Sequence, residues 1–144
     1  MPQPAKRASE ESDKSSGSTT RSAEQSQLDF ELEFYTVLLH RHPDFVEVLR
    51  AQANNLTIKG RHAEGLEIDK KLIQLRPKDP LAHYNLACSL ALLKKPEAAI
   101  DSLCRAVELG YRDFRYMSKD KDLDSIRNDP RFRQLVREFS AKKR

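Results

Sequence analysis

The residues able to do chemistry are few, and their spacing does not suit it. His40 and His42 flank the end of an apolar stretch. No Cys or carboxylate stands at a spacing from them that would complete a zinc site. His62 opens another stretch of helical character. Asp120, Asp122 and Asp124 alternate like the start of a calcium loop. Such a loop needs a glycine at its sixth position and a glutamate at its twelfth. Ser125 and Arg131 stand there instead. Asp120 and Asp122 are therefore expected to cap short helical turns. Nothing resembles a nucleophile elbow. The four glycines, Gly17, Gly60, Gly65 and Gly110, are too dispersed for a phosphate loop. Cys88 and Cys104 lack metal-like spacing and read as buried free thiols rather than a disulfide. The expectation is a protein with no catalytic centre, metal or cofactor.

What positions these residues is a repeat. Pro43, Pro77 and Tyr111 follow one another at intervals of 34 residues. That period is the signature of stacked two-helix units. Helix punctuation agrees. Asp79-Pro80 supplies an N-cap and a proline at the first helical position. Lys95-Pro96 opens the next helix and Gly110 suits its end. Gly60 divides the preceding pair. Asp129-Pro130 opens a last helix, in which Phe132, Leu135, Val136 and Phe139 form one apolar face. No run alternates β-branched and polar residues, so strands are not expected.

The unit from Pro80 to Gly110 resembles the tetratricopeptide family. The family's bulky and small positions are filled by His83, Leu86-Ala87, Leu90, Ala99, Leu103 and Ala106. Only His83 departs, and a hydrogen-bonded structural histidine is expected there. The preceding unit reads Leu49, Gln52-Ala53, Leu56, Gly65, Asp69 and Leu72, with Gln52 and Asp69 off pattern. Before it stands a lone second helix, FELEFYTVLLHRHP. The end of the chain is similar to the terminal element of many bacterial members of the family. The resemblance implies an all-α fold: a short right-handed α-solenoid of about two and a half repeats over residues 28–111. Capping helices would follow over residues 112–144, covering the apolar face of the last repeat.

The resemblance also implies a function, that of a non-catalytic adaptor binding a peptide or partner helix in a concave groove. Some members grip a peptide's C-terminal carboxylates with basic residues and asparagines of successive first helices. The matching positions here are Arg50, Asn54, Asn85, Arg115 and Lys119, with Cys88 also on a first helix. A carboxylate held in a groove needs cations and amide donors converging on it. The partner implied is an acidic peptide with a free C-terminal carboxylate.

Composition sets the remaining bounds. Residues 1–27 contain no large apolar side chain after Met1 and are expected to be a disordered tail. They lack the apolar core of a secretory signal. No apolar stretch approaches the ~20 residues that cross a bilayer, so the expected setting is cytoplasmic, away from membranes. The net charge of +4 resides at the C-terminal end, where residues 111–144 hold 11 basic and 6 acidic side chains. An alternative follows, a nucleic-acid-associated protein touching phosphates through Arg127, Arg131, Arg133, Arg137, Lys142, Lys143 and Arg144. It lacks interleaved aromatics and any DNA-reading motif.

Overall fold

The computed structural model describes residues 17–142 and is all-helical there. The order is α1 (Gly17–Arg41), α2 (Val46–Ile58), α3 (His62–Leu75), α4 (Pro80–Leu92), α5 (Pro96–Glu108) and α6 (Phe114–Lys119). A 3-10 segment (Lys121–Ile126) and α7 (Pro130–Lys142) complete it. Each of the first four helices packs on the next, the 3-10 segment lies against α4, and α7 lies against α5.

The turns explain the helix ends. The α2–α3 turn places Gly60 at φ 78°, in the left-handed region, and Lys94 repeats this at φ 60° in the α4–α5 turn. The hydrogen bonds repeat too. Arg61 N–H donates to Leu56 O at 2.9 Å, and Lys95 N–H to Leu90 O at 2.9 Å. Gly60 N–H reaches Thr57 O at 3.0 Å, and Lys94 N–H reaches Ala91 O at 3.0 Å. These bonds satisfy carbonyls that a helix end leaves open. At α5, Gly110 takes the same part at φ 120°. Lys94 thus holds a glycine's conformation with a Cβ present, at a cost of about 1 kcal/mol. Lys94→Gly is expected to raise stability by a few tenths to about 1 kcal/mol, because Gly's unfolded-state entropy offsets part of the relief. Urea titration at neutral pH measures it, and an unchanged or lower midpoint would contradict the assignment.

Asp79 caps α4 through its carboxylate, which accepts from Leu81 N–H at 2.9 Å. Lys95 makes no such side-chain bond, so Pro96 alone marks the start of α5. Asp113 caps α6, accepting from Tyr116 N–H at 3.0 Å. Asp129 accepts from Arg131 N–H at 2.9 Å at the start of α7.

The main core lies around α4 and α5. Ala87, Ala91, Ala99, Leu103, Ala106 and Val107 are wholly buried. Alanine at Ala99 and Ala106 lets the two helix axes approach, which is why these positions are small. Phe132 and Leu135 of α7 join this core with Leu103 and Val107, while Val136 and Phe139 lie at its edge. A smaller cluster of Val46, Leu49 and Leu72 sits at the other end.

The tail expected over residues 1–27 meets a different outcome where it is described. Residues 1–16 lie outside the described residues, but residues 17–27 form the first turns of α1. Thr20 to Gln27 are exposed there. From Ser18 to Arg41 the chain has no proline or glycine. Once the apolar part of α1 is anchored, each further helical residue gains a hydrogen bond without a new nucleus.

Candidate functional site

Arg50 and Asn54 stand one turn apart on α2, both half-buried. Arg50 is not an open groove cation. Its guanidinium forms a hydrogen-bonded ion pair with Asp79, the residue that caps α4. Burial alone would raise the Asp79 carboxyl, but the hydrogen bond and charge of Arg50 and the N–H groups of Leu81 and Ala82 hold it below the usual range. The pair ties α2 to the start of α4.

Cys88 stands 34 positions after Asn54, and Tyr84 34 after Arg50. Both are buried, Cys88 at 4% exposure. The expectation that Cys88 lines an accessible groove is therefore corrected, because the chain that follows α6 covers it. Asp120 sits over this part of α4 and accepts from the Tyr84 hydroxyl at 2.7 Å, with the Cys88 thiol 3.7 Å away. Its other carboxylate oxygen accepts from Asp122 N–H at 3.0 Å and starts the 3-10 segment. The Arg127 guanidinium donates to the Asp120 carbonyl at 2.5 Å and pairs with Asp124 at 2.7 Å. Tyr111 stacks on Tyr84 with ring centroids 4.4 Å apart, and Tyr116 meets it at 6.2 Å.

This environment keeps Tyr84 a donor. Burial pushes its hydroxyl far above the ordinary range, and Cys88 and Asp120 add to the effect. Burial pushes Tyr116 up to about 12, with Asp120 contributing. Donor atoms of Cys88, Asp120 and Asp122 lie within 4.8 Å of one another. The Asp120 carboxylate is already engaged by Tyr84, Cys88 and the Asp122 N–H, so the cluster serves as a tie between α4 and the 3-10 segment. Among the signals in the sequence, the alternating acids located it but not its partners.

Asn85 is half-buried on α4. Arg115 and Lys119 stand one turn apart on the exposed side of α6, whose other side buries Phe114 and Met117. The candidates therefore occupy three successive elements, α2, α4 and α6. Arg50 and Cys88 are already engaged within the fold, and Asn85 also has a partner there.

The basic C-terminal end is also partly engaged. Arg131 pairs with Asp129 at 2.8 Å, and Arg133 donates to Asn128 at 2.9 Å. With Arg127, three of the candidate phosphate contacts bond within the chain. Lys143 and Arg144 lie outside the described residues.

His83 has a ring nitrogen 2.8 Å from Pro77 O, as expected of a hydrogen-bonded histidine. Neither Cys88 nor Cys104 is in a disulfide. Burial pushes the Cys104 thiol up, with Asp101, Glu108 and Glu138 adding to it, so it is a poor nucleophile. No helix among the described residues is long and apolar enough to cross a membrane.

Among the described residues the protein is all-helical, and the buried polar residues Asn55, Asp69, Ser89 and Asp120 join one element to another. No family model matches the chain. Over 102 residues, 69% of the chain, it is 29% identical to a chloroplastic protein of Arabidopsis thaliana. The chain spans about 29% of that protein's length.

Proposed function

We propose that this chain is a tetratricopeptide-like α-solenoid that binds another protein, as an adaptor in an aqueous compartment such as the cytoplasm. The observation that carries this reading is the recurrence of one helix-pair turn. Leu56–Arg61 and Leu90–Lys95 make the same bonds at positions 34 residues apart. Repeated pairs present successive first helices side by side, and such stacks offer a surface for extended peptides. In this reading Asn54, Asn85, Arg115 and Lys119 supply the polar contacts, and the ligand is an acidic peptide with a free C-terminal carboxylate. Arg50 contributes by holding α2 on α4.

The test separates recognition from folding. A fluorescent acidic peptide is titrated with the full chain, once with a free C-terminus and once amidated. Amidation is expected to weaken binding about tenfold. Arg115→Ala/Lys119→Ala should weaken the free acid by a similar factor and leave the amide unchanged, since both remove one interaction. These two side chains are exposed, so the thermal midpoint should hold. Equal binding of both peptides would refute the carboxylate reading.

A further inference from the structure

Helix α1 has two apolar faces, and only one is covered. On the covered side Leu32 is 6% exposed. Around it Asn55 donates to Glu31 at 2.7 Å, Gln52 donates to Thr36 at 3.2 Å and Lys59 pairs with Asp29. The other side carries Phe30, Phe34 and Val37, exposed at 63%, 51% and 56%. Steps of four and three residues set them in one line. At about 100° per residue that line lies opposite Leu32 and Thr36.

The line is not a property of the repeat. The positions 34 residues on hold Glu64, Ile68 and Lys71 in α3, and those 68 on hold Ala98, Ser102 and Arg105 in α5. In α1 the line turns out two phenylalanines and a valine, which marks a docking surface.

Charge identifies the occupant. Between residues 22 and 40 the chain has four acids, Glu24, Asp29, Glu31 and Glu33, and no Lys or Arg. Helical spacing places Glu24 along one flank of the apolar line and Glu33 along the other, while Glu31 is held by Asn55 of α2. A second copy paired through the same line would set Glu33 of one chain near Glu33 of its partner, acid against acid. Residues 1–16 offer no large apolar side chain after Met1, so they cannot fill the line.

We infer that the outer face of α1 docks an amphipathic helix of another protein, with apolar residues at three- and four-residue spacing and Lys or Arg on both flanks. This surface is distinct from the groove proposed above.

Two designed helical peptides test it, each with the same leucine seam, one flanked by lysines and one by glutamates. Calorimetry with the full chain should show binding of the lysine peptide at about micromolar Kd and at least about tenfold weaker binding of the glutamate peptide. Phe30→Ser/Phe34→Ser should weaken the lysine peptide about tenfold or more, with the thermal midpoint kept because both side chains are exposed. Arg115→Ala/Lys119→Ala should not change it, which separates this face from the groove. Glu24→Lys/Glu33→Lys, both exposed, should reverse the preference between the peptides. Absence of lysine-peptide binding, or binding indifferent to the Phe30 and Phe34 changes, overturns the proposal. Sedimentation showing a dimer that Phe34→Ser dissolves also overturns it, in favour of a second copy.

Discussion

Asp69→Asn is expected to stabilise the protein above neutral pH and to have little effect in acid. Asp69 is 4% exposed, and its carboxylate accepts from the Ser89 hydroxyl across the α3–α4 contact. Burial raises its pKa from 3.8 to about 7, against the opposing pull of the Ser89 hydrogen bond. A carboxyl raised on folding keeps its proton better in the folded than in the unfolded chain. Its contribution is fully present below the unfolded value, near 3.8, and is lost as pH rises through about 7. The interval from 3.8 to about 7 corresponds to an upper figure of about 4 kcal/mol. Asparagine keeps the shape and can accept from Ser89 without a charge to desolvate. At pH 8.5 the variant should melt about 10 °C above the wild type, and at pH 4 close to it. Thermal melts across that range measure the difference. A gap independent of pH would show that Asp69 is not ionised at a cost within the fold.

Phe132→Ala is expected to be among the most damaging single changes. Phe132 is 3% exposed and belongs to the core that includes Leu103 and Val107. Truncating a buried phenylalanine costs about 3–5 kcal/mol through lost burial and the cavity left behind. Phe139, at the edge of the same core, should cost clearly less. Urea unfolding followed by circular dichroism gives both values. A loss below about 1 kcal/mol for Phe132→Ala would mean that α7 is not part of the cooperative unit. If α7 acts as the cap of the array, its removal should expose Leu103 and Val107 and lead to aggregation.

Much of the helical order is legible in local signals. Proline after aspartate, and glycine after an apolar run, mark the start of α4 and the ends of α2 and α5. The apolar face of α7 can be read because helical spacing puts Phe132 and Leu135 on one side. Composition misleads at the start of α1. Residues 17–27 lack large apolar side chains, yet they propagate a helix whose anchor lies further on.

The candidate site is legible in type but not in state. Arg50 and Cys88 sit on the helices expected of them, yet one is paired with Asp79 and the other lies beneath Asp120. Signals for some buried partners are present. Asp69 stands in a position that wants an apolar side chain, and Ser89 interrupts an apolar run. A polar group in such a position requires a partner, but the chain does not say which.

What the sequence by itself determined is therefore local: where helices stop, which side of each is apolar, and the 34-residue period that relates them. The helix ends and faces depend on residues within a turn or two of one another, and the period on the recurrence of those local signals along the chain. The tertiary structure alone decided the pairs Arg50–Asp79, Ser89–Asp69 and Tyr84–Asp120, whose members lie 20 to 36 residues apart. It alone showed that Phe30, Phe34 and Val37 face away from α2. Periodicity gives a helix its faces, but the packing of its neighbours decides which face is buried.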